Sequence, residues 1–322
     1  MIKRILLGLK KNKIRSVNLV FKRIDELNAW RKIYGSINLI HRYRNKKSFE
    51  VELSKEHLAY GSSITDSHMY ATYPTLCGLA AADEKIFKKF RSSRPMIAAL
   101  DHVSIELGNE YIEEIITHTE WMEEFTKAIE RIDSKGRPKK YKFGSLGTFS
   151  PTLLRYLKVY VDLNSYFGPL DKLRISEIGI GFGGQASLIN LLGDTRDYNF
   201  YDIPPVLQLA QKFISEIGIS GNFKFFDGRN PAPNESDLVI SNYAFSEINA
   251  ELQKIYFENV VSKSPRGYIT WNSLSQDNFG GYSLREFAKL IPHSRILEER
   301  PKSDDRNAIL IWGENSNSIV QH

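Results

Sequence analysis

The sequence predicts an α/β protein in which a doubly wound, mostly parallel sheet follows an α-helical N-terminal region. Three observations lead to this prediction. Residues 25–132 carry helical patterns, short apolar runs alternate with helical patterns after residue 150, and a glycine-rich stretch directly follows the first of those runs. At 322 residues the chain is long enough for a full core and an additional segment.

The chain divides into four predicted parts. They are a basic segment at residues 1–48, a helical region at 49–140, a sheet domain at 141–314 and a loose tail at 315–322. Residues 133–140 combine charge with turn formers and are the expected linker. The single cysteine, Cys77, excludes an internal disulfide and a cysteine-based metal cluster. We expect it to be a buried thiol in a reducing compartment.

Positive charge is concentrated at the N-terminus. Residues 1–48 hold fourteen Lys and Arg against Asp25 and Glu26, while the whole chain carries a net charge of +6. The remainder is therefore acidic, which argues against nucleic-acid binding. Residues 1–24 predict either a helix lying on a membrane surface or an amphipathic helix packed on its own domain. Because no apolar run reaches the roughly 20 residues of a membrane span, we expect a cytoplasmic protein, peripheral at the inner membrane face under the first interpretation.

The elements of the sheet domain follow in order. Ser150 and Pro151 are typical of a helix start, and this helix is expected to end before Gly168. Apolar runs then predict strands at residues 174–179, 198–203, 223–226, 238–242 and 268–271. Two further runs, 295–299 and 308–312, are joined by a polar loop without a helix and predict an antiparallel hairpin.

The stretch at residues 177–184 reads EIGIGFGG and is typical of a turn that holds a nucleoside cofactor. Its glycines let the backbone turn sharply and approach a ligand closely. Asp202, at the end of the next apolar run, can accept hydrogen bonds from a ribose. Gly179, Gly181 and Gly184 also fit the dinucleotide pattern, so both S-adenosylmethionine and NAD are compatible. Glu177 favours S-adenosylmethionine, because a carboxylate can interact with a cationic ligand but makes no favourable interaction with a pyrophosphate.

Polar residues at the other strand ends complete the expected cofactor site. Ile203 is expected to cover the adenine face, although Asp202 can alternatively cap the helix that follows it. Asp227 is expected to receive the adenine amino group or, alternatively, to stabilise a tight turn. Asn242 is expected to bind the amino acid part of the cofactor.

Methyl transfer from a sulfonium is an in-line displacement, so the protein must chiefly align the nucleophile and remove its proton. Glu247 is one candidate base, with a helix-capping role as the alternative. His102, which follows Asp101, is the preferred histidine base. The other candidates are His57, His68, His118 and His293. No spacing of carboxylates or histidines is typical of a metal site, so metal-independent chemistry is expected.

Several stretches resemble class I S-adenosylmethionine-dependent methyltransferases. The resemblance is closer to the sugar O-methyltransferases encoded in bacterial polysaccharide gene clusters. It rests on GTFSPTLLRY at 147–156, EIGIGFGGQ at 177–185, YDIP at 201–204 and SNYAFSE at 241–247, and more loosely on LDHVS at 100–104. Together these stretches extend it over about residues 60–313.

The resemblance implies a Rossmann-like seven-stranded methyltransferase sheet, S-adenosylmethionine as cofactor, and a hydroxyl of a sugar or glycan as acceptor. Arg155 and Tyr156 are expected to close over the cofactor, and the helical region is expected to cover the acceptor pocket or to form a homo-oligomer. The cofactor-binding residues it implies are Glu177, Gly179, Gly181, Gly183, Gln185, Asp202 and Asn242, with Tyr243 in the same motif as the last.

Three other interpretations remain open at this stage. The acceptor can be a small natural product rather than a sugar. The domain can be a binding module without turnover, although the intact glycine turn, Glu177 and Asp202 argue against that. Finally, the glycine pattern leaves an NAD-dependent oxidoreductase as an alternative.

Overall fold

The computed structural model describes residues 72–273 and 280–314. The predicted basic segment at 1–48, the predicted tail at 315–322, and the candidates His57 and His68 lie outside the described residues.

Residues 72–133 are helical. Capping side chains begin two of these helices: Asp83 accepts from the backbone N–H of Lys85, and Ser104 accepts from that of Leu107. The helices are α1 (Thr72–Ala82), α2 (Glu84–Phe87), α3 (Arg94–Ala99), α4 (Ile105–His118) and α5 (Glu123–Asp133), with a 3-10 turn at Phe90–Ser92 between α2 and α3. In α5 the buried side chains recur at helical spacing, so one face of the helix joins the core; they are Phe125, Ala128, Ile129 and Ile132.

A short antiparallel hairpin, β1 (Tyr141–Phe143) and β2 (Gly147–Phe149), follows α5. The sequence analysis did not predict it, because strands of three residues are too short to show a period of two. The buried ring of Phe149 stacks on that of Phe143 and lies beside the ring of Trp121. The hairpin therefore packs against the helical region.

The main sheet has seven strands in the order β5-β4-β3-β6-β7-β9-β8. The strands β3 to β7 are parallel, and β9 runs antiparallel between β7 and β8. The predicted doubly wound sheet with its terminal hairpin is thereby confirmed. Its elements are α6 (Pro151–Phe167), β3 (Arg174–Ile178), α7 (Gly184–Leu192), β4 (Asp197–Asp202), α8 (Pro204–Glu216), β5 (Phe223–Asp227), β6 (Leu238–Asn242), α9 (Ala250–Asn259), β7 (Gly267–Trp271), α10 (Leu284–Ala288), β8 (Arg295–Glu298) and β9 (Ala308–Trp312), with 3-10 turns at Ala244–Glu247 and Val261–Lys263.

Alternation along the strands distributes the core over both faces of the sheet. One face packs on the N-terminal helices, α6, α7 and α8, and includes Ile175, Phe200 and Ile240. The other packs on α9 and α10, and includes Ile178 and Tyr201. Because β3 lies between β4 and β6 in the sheet, the chain reverses its winding direction there. A crevice at the carboxyl ends of such strands is the usual ligand site of this architecture.

A buried polar cluster joins the helical region to the start of α6. The fully buried guanidinium of Arg91 donates to both carboxylate oxygens of Asp101, at 3.0 and 2.8 Å. It also donates to Asp133 Oδ1 at 2.8 Å and to Ser150 Oγ at 3.0 Å. Asp133 accepts from the backbone N–H of Ser150 at 2.6 Å and from its hydroxyl at 2.7 Å. We call these four residues the Arg91 cluster.

The Arg91 cluster changes the interpretation of two sequence signals. Ser150 precedes α6 as predicted, but its side chain binds Asp133 and makes no capping hydrogen bond to the helix. Residues 133–140 were expected to be a linker, yet Asp133 is buried and the carbonyl of Gly136 accepts from the backbone N–H of Arg91 at 2.9 Å. This segment is therefore built into the contact between the two regions.

Replacing Arg91 should reveal the contribution of this cluster to stability. In Arg91→Met, Asp101 and Asp133 lose the cation that compensates them in the interior. We expect the free energy of unfolding to fall by about 3–5 kcal/mol, as for other buried ion pairs that lose one partner. Chemical denaturation measures the change. Adding Asp101→Asn and Asp133→Asn to the same chain should recover part of it.

Lys127→Met is the matched control, because Lys127 pairs with Glu123 on the exposed surface of α5. Exposed ion pairs contribute little to stability, so this variant should unfold like the unmodified chain. Equal stability of the Arg91 and Lys127 variants would contradict the structural role given to the cluster.

Candidate active site

The glycine turn follows β3 at the carboxyl edge of the sheet. Gly179, Gly181 and Gly183 have φ values of +78°, +55° and +84°, which favour glycine over any residue with a side chain. A Cβ on Gly179 would overlap the Cβ of Ala244, and one on Gly181 would lie 2.7 Å from Leu100 Cδ1. Gly183 is the N-cap of α7. Both the conformation and the close contacts therefore require glycine in this turn.

Asp202 lies at the end of β4 directly beside the glycine turn. Its Oδ2 accepts from the backbone N–H of Gly181 at 3.3 Å, and its Oδ1 accepts from that of Ile203 at 2.8 Å. Burial raises the pKa of Asp202 to about 7, against the opposing effect of these backbone hydrogen bonds. The residue is half-buried, and the remaining lone pairs of its carboxylate can accept from the two hydroxyls of a ribose.

Tyr73 in α1 belongs to the same surroundings, although the sequence analysis did not single it out. The side chain is buried, and burial, Cys77 and the charge of Asp202 raise the pKa of its hydroxyl well above the ordinary value. α1 therefore lies close to the carboxylate expected to bind the ribose. No local sequence signal could reveal this, because Tyr73 and Asp202 are brought together only by the packing of α1 on α8.

Glu177 is buried within β3, and its Oε2 accepts from the hydroxyl of Tyr198 at 2.7 Å. Burial raises the pKa of Glu177 to about 8 and outweighs the effect of this hydrogen bond. Hence the side chain is largely protonated at neutral pH and does not present the permanent charge assumed from the sequence. A cation bound nearby would favour its ionised form.

Asp227 ends β5 and lies opposite Asp202 in the parallel register of β4 and β5. Its carboxylate accepts from the guanidinium and the backbone N–H of Arg229. Burial alone would raise the pKa of Asp227, but the hydrogen bonds from Arg229 outweigh it and leave the pKa below its ordinary value. Asp227 is therefore ionised at neutral pH, at the strand end where the adenine was expected.

Asn242 and Gln185 face each other across the crevice. Asn242 Nδ2 donates to Gln185 Oε1 at 3.4 Å, and Gln185 Nε2 donates to the backbone carbonyl of Tyr156 at 3.1 Å. Asn242 Oδ1 is buried and has no hydrogen-bond partner among the described residues. A buried acceptor of this kind costs free energy unless a donor, such as an ammonium group, binds it.

Tyr243 adopts a backbone conformation that is rare for a residue with a side chain, with φ of +69°. Its backbone N–H donates to the carbonyl of Thr270 at 2.9 Å, and its hydroxyl donates to Glu299. Glu299 Oε2 accepts in turn from the backbone N–H of Ser303 at 3.0 Å. Strained residues held by their surroundings are typical of functional sites. The sequence analysis missed Glu299, since nothing in a strand end before a polar loop predicts its contact with Tyr243.

Glu247 ends the 3-10 turn after β6, and its Oε1 accepts from Asn272 Nδ2 at 2.8 Å. Burial raises the pKa of Glu247, while Asn272 and the charge of Arg155 oppose the shift. The alternative helix-capping role is excluded for this side chain, because Asn249 caps α9 by accepting from the backbone N–H of Leu252. The side chain is thus oriented at the sheet edge and can accept a proton.

Asp101 does not serve the role proposed for it beside His102. Both of its carboxylate oxygens bind Arg91, so it is a structural member of the Arg91 cluster. The pKa of His102 is lowered, first by loss of solvation and then by the charge of Arg155, with Asp101 opposing. Because His102 as a whole is exposed, its imidazole ring loses only part of its solvation. His102 is neutral at pH 7 and near Arg155, but Asp101 does not orient it.

The other described histidines lie on the surface. His118 ends α4 and its Nδ1 lies 2.8 Å from the carbonyl oxygen of Glu114, while His293 follows α10 in an exposed turn. Within residues 72–273 and 280–314, no group of three His, Cys, Asp or Glu side chains is arranged to hold a metal ion. In the same residues, no helix is long and apolar enough to cross a membrane.

A cleft opens beside Asn242 on the face of the sheet that packs against α4 and α6. The space that it encloses is small, about 10 Å³, and it is partly open to solvent. Its lining consists of Tyr111, Arg155, Lys158, Val159, Asn242, Tyr243, Tyr268, Thr270, Glu299, Arg300 and Ile309. Arg155 donates to the carbonyl of Leu100 at 3.3 Å, and Leu100 packs against Gly181. The cleft and the glycine turn are therefore neighbours.

The order and directions of the seven strands, with β9 antiparallel between β7 and β8, distinguish this sheet from a plain dinucleotide-binding one. The chain has the class I methyltransferase fold. The sequence matches no protein-family model and no curated protein.

Three solved structures with related folds illustrate the similarity. An rRNA methylase from Streptococcus thermophilus is 12% identical over 50% of this chain and 96% of that chain, with a TM-score of 0.38. A S-adenosylmethionine-dependent methyltransferase from Clostridium acetobutylicum is 12% identical over 49% of this chain and 89% of its own, with a TM-score of 0.38. Mitomycin 7-O-methyltransferase is 17% identical over 47% and 49%, respectively, with a TM-score of 0.35.

Substituting Gly179 should test the glycine turn. In Gly179→Ala the new methyl group would overlap Ala244 at a φ of +78°, so the turn must shift away from the ends of β3 and β6. We expect loss of nucleoside binding, measured by calorimetry, together with a lower melting temperature. Gly144→Ala is the control, since Gly144 has φ of +53° but a Cβ added there would meet no atom within 4 Å. Gly144→Ala should show the effect of backbone strain alone and should bind the nucleoside normally. Equal loss of binding in the two variants would contradict the assignment of the glycine turn to the nucleoside site.

Proposed function

We propose that this chain transfers a methyl group from S-adenosylmethionine to a hydroxyl of a sugar. The observation that carries the proposal is the position of Asp202, whose carboxylate touches the glycine turn at the carboxyl ends of β3 and β4. This is where the ribose of a nucleoside cofactor would be bound in a doubly wound sheet. The class I methyltransferase fold favours this cofactor over NAD.

The residues of the crevice match the individual chemical groups of the cofactor. Asp202 would accept hydrogen bonds from the ribose hydroxyls. Asp227, which is already ionised, would accept a hydrogen bond from the adenine amino group. The orphaned Oδ1 of Asn242 would accept from the ammonium group of the methionine part. Gln185 would hold Asn242 in place through their hydrogen bond. When bound, the cofactor supplies an electrophilic methyl group on a positively charged sulfur, and Glu177 would ionise near that charge.

We assign the general base to Glu247. Asn272 holds its carboxylate, and the raised pKa makes it a better proton acceptor than an ordinary glutamate. It would take the proton that the acceptor hydroxyl loses as the new oxygen–carbon bond forms. His102 is the second candidate, because it is neutral at pH 7, but its lowered pKa makes it the weaker base.

The polar cleft supports a sugar as the acceptor. A polyhydroxylated ligand needs donors and acceptors on several sides, and side chains of Tyr, Arg, Lys, Asn and Glu line the cleft that meets Asn242. An apolar aromatic acceptor would leave the hydroxyl of Tyr111 and the Nε of Arg155 without hydrogen bonds and would bind at a cost. The cleft therefore favours a sugar over an apolar natural product.

Cofactor choice and the role of Asp202 can be tested together by calorimetric titration. We expect the protein to bind S-adenosylhomocysteine and not NAD, and Asp202→Asn to weaken this binding. Because the pKa of Asp202 is about 7, protonation at lower pH removes the carboxylate that accepts from the ribose. Affinity should be about tenfold lower at pH 6 than at pH 8, as follows from one titrating group.

Glu177→Gln is the matched variant in this experiment, since Glu177 is the other acid of the crevice whose pKa lies near neutrality. It should keep the change in affinity around pH 7, whereas Asp202→Asn should lose it. Binding of NAD in place of S-adenosylhomocysteine would overturn the proposed function. A pH dependence that follows Glu177 would overturn the assignment of Asp202.

The base can be identified from the pH profile of turnover with a methylated product as the readout. Glu247→Gln should reduce kcat by about a hundredfold or more, the usual contribution of a general base, and should remove the acidic limb of the profile. Cofactor affinity should stay unchanged. His102→Ala should leave the acidic limb in place. If His102→Ala abolishes turnover and Glu247→Gln does not, His102 is the base.

A further inference from the structure

Two buried donors in the cleft beside Asn242 have no partner among the described residues. Tyr111 in α4 is 2% exposed and its hydroxyl makes no hydrogen bond. Arg155 in α6 is 7% exposed and its Nε is equally without a partner. Both side chains line the cleft. Unpartnered buried donors are costly, so their presence in a cleft indicates a ligand that accepts hydrogen bonds there.

Arg155 is also the cation of this cleft that lacks a carboxylate partner within the described part of the chain. Lys158 pairs with Asp162 at 2.6 Å, and Arg300 lies 3.4 Å from Glu298. Arg155 has instead the carbonyl of Leu100 and two aromatic rings, with its guanidinium carbon 5.6 and 5.7 Å from the ring centroids. A buried cation is unfavourable unless a negative charge compensates it. The ligand of this cleft should therefore be anionic.

The position of the cleft separates it from the proposed cofactor site. Neither the glycine turn nor Asp202 contributes to its lining, and its wall is formed by residues of β6, β7 and β9, including Thr270 and Ile309. Of the residues expected at the cofactor, Asn242, Tyr243 and Arg155 line the cleft. The anion it attracts is thus expected on the acceptor rather than on the methionine part of the cofactor.

We propose that this cleft binds a carboxylate of the acceptor, so that the methylated sugar is an acidic one of the uronic acid type. The inference rests on the proposed function. Arg155 Nε–H and Tyr111 O–H would donate to the carboxylate oxygens. Glu299 also lines the cleft, but its oxygens already accept from the hydroxyl of Tyr243 and from Ser303.

Titration with matched acidic and neutral sugars tests the proposal. The probes are the methyl glycosides of glucuronate and galacturonate, each compared with that of glucose or galactose, with and without S-adenosylhomocysteine. We expect at least one uronate to bind about tenfold more tightly than its neutral counterpart, the size expected for charge-assisted hydrogen bonds. Tyr111→Phe and Arg155→Gln should both reduce this preference, and Tyr111→Phe should leave the affinity for S-adenosylhomocysteine unchanged.

Tyr111→Phe keeps the experiment decisive if Arg155→Gln fails to fold. It removes only a hydroxyl that makes no hydrogen bond, so its melting temperature should not fall. Tyr160→Phe is the control, because Tyr160 lies in α6 outside the cleft lining and donates to the carbonyl of Leu192 at 3.3 Å. It should retain the acid preference.

Two results would overturn the inference. In one, the unmodified protein binds neither uronate more tightly than its neutral sugar. In the other, Tyr111→Phe weakens the binding of S-adenosylhomocysteine and leaves the preference for acidic sugars unchanged. That result would mean that these donors bind the cofactor. Failure of S-adenosylhomocysteine to bind would instead refute the proposed function, and the titrations without it would still decide whether the cleft selects a carboxylate.

Discussion

The guanidinium of Arg91 holds the helical region and the sheet domain in one arrangement. A buried guanidinium is tolerated only with compensation, and here the compensation comes from Asp101 and Asp133, 10 and 42 residues away in the chain. Asp133 also binds Ser150, so the same contacts set where α6 begins. The guanidinium carbon of Arg91 further lies 4.6 Å from the ring centroid of Phe182 in the glycine turn. The positions of the turn and of Arg155 in α6 therefore depend on this cluster.

The crevice is built from backbone that is held away from its ordinary preferences. The glycine turn needs positive φ at three positions, and Tyr243 adopts one without being glycine. Contacts from outside each segment stabilise these conformations, since Leu100 packs on Gly181 and Glu299 accepts from Tyr243. Backbone that is already held in its binding conformation loses less conformational entropy when a ligand binds.

Its electrostatics suit a ligand that brings positive charge. Burial raises the pKa of Glu177, Asp202 and Glu247, so these acids resist ionisation. A bound cation would favour their charged forms. In the adjoining cleft, the cation without a carboxylate partner among the described residues is the guanidinium of Arg155. The two halves of the proposed site would therefore select ligands of opposite charge, as we propose for a sulfonium cofactor and an acidic acceptor.

The sequence by itself determined the alternation of strands and helices in the main sheet, the terminal hairpin, the glycine turn and the position of Asp202 at a strand end. These features follow from short-range periodicity and from the local backbone freedom of glycine. Only the tertiary structure decided that Asp101 belongs to Arg91 and not to His102, that Ser150 binds Asp133, and that Tyr111 and Glu299 line a cleft with Arg155. The physical reason is distance along the chain: these contacts join residues from separate elements, and no local pattern records which elements will meet. Burial, which shifts the pKa of each acid, likewise arises only when those elements pack together.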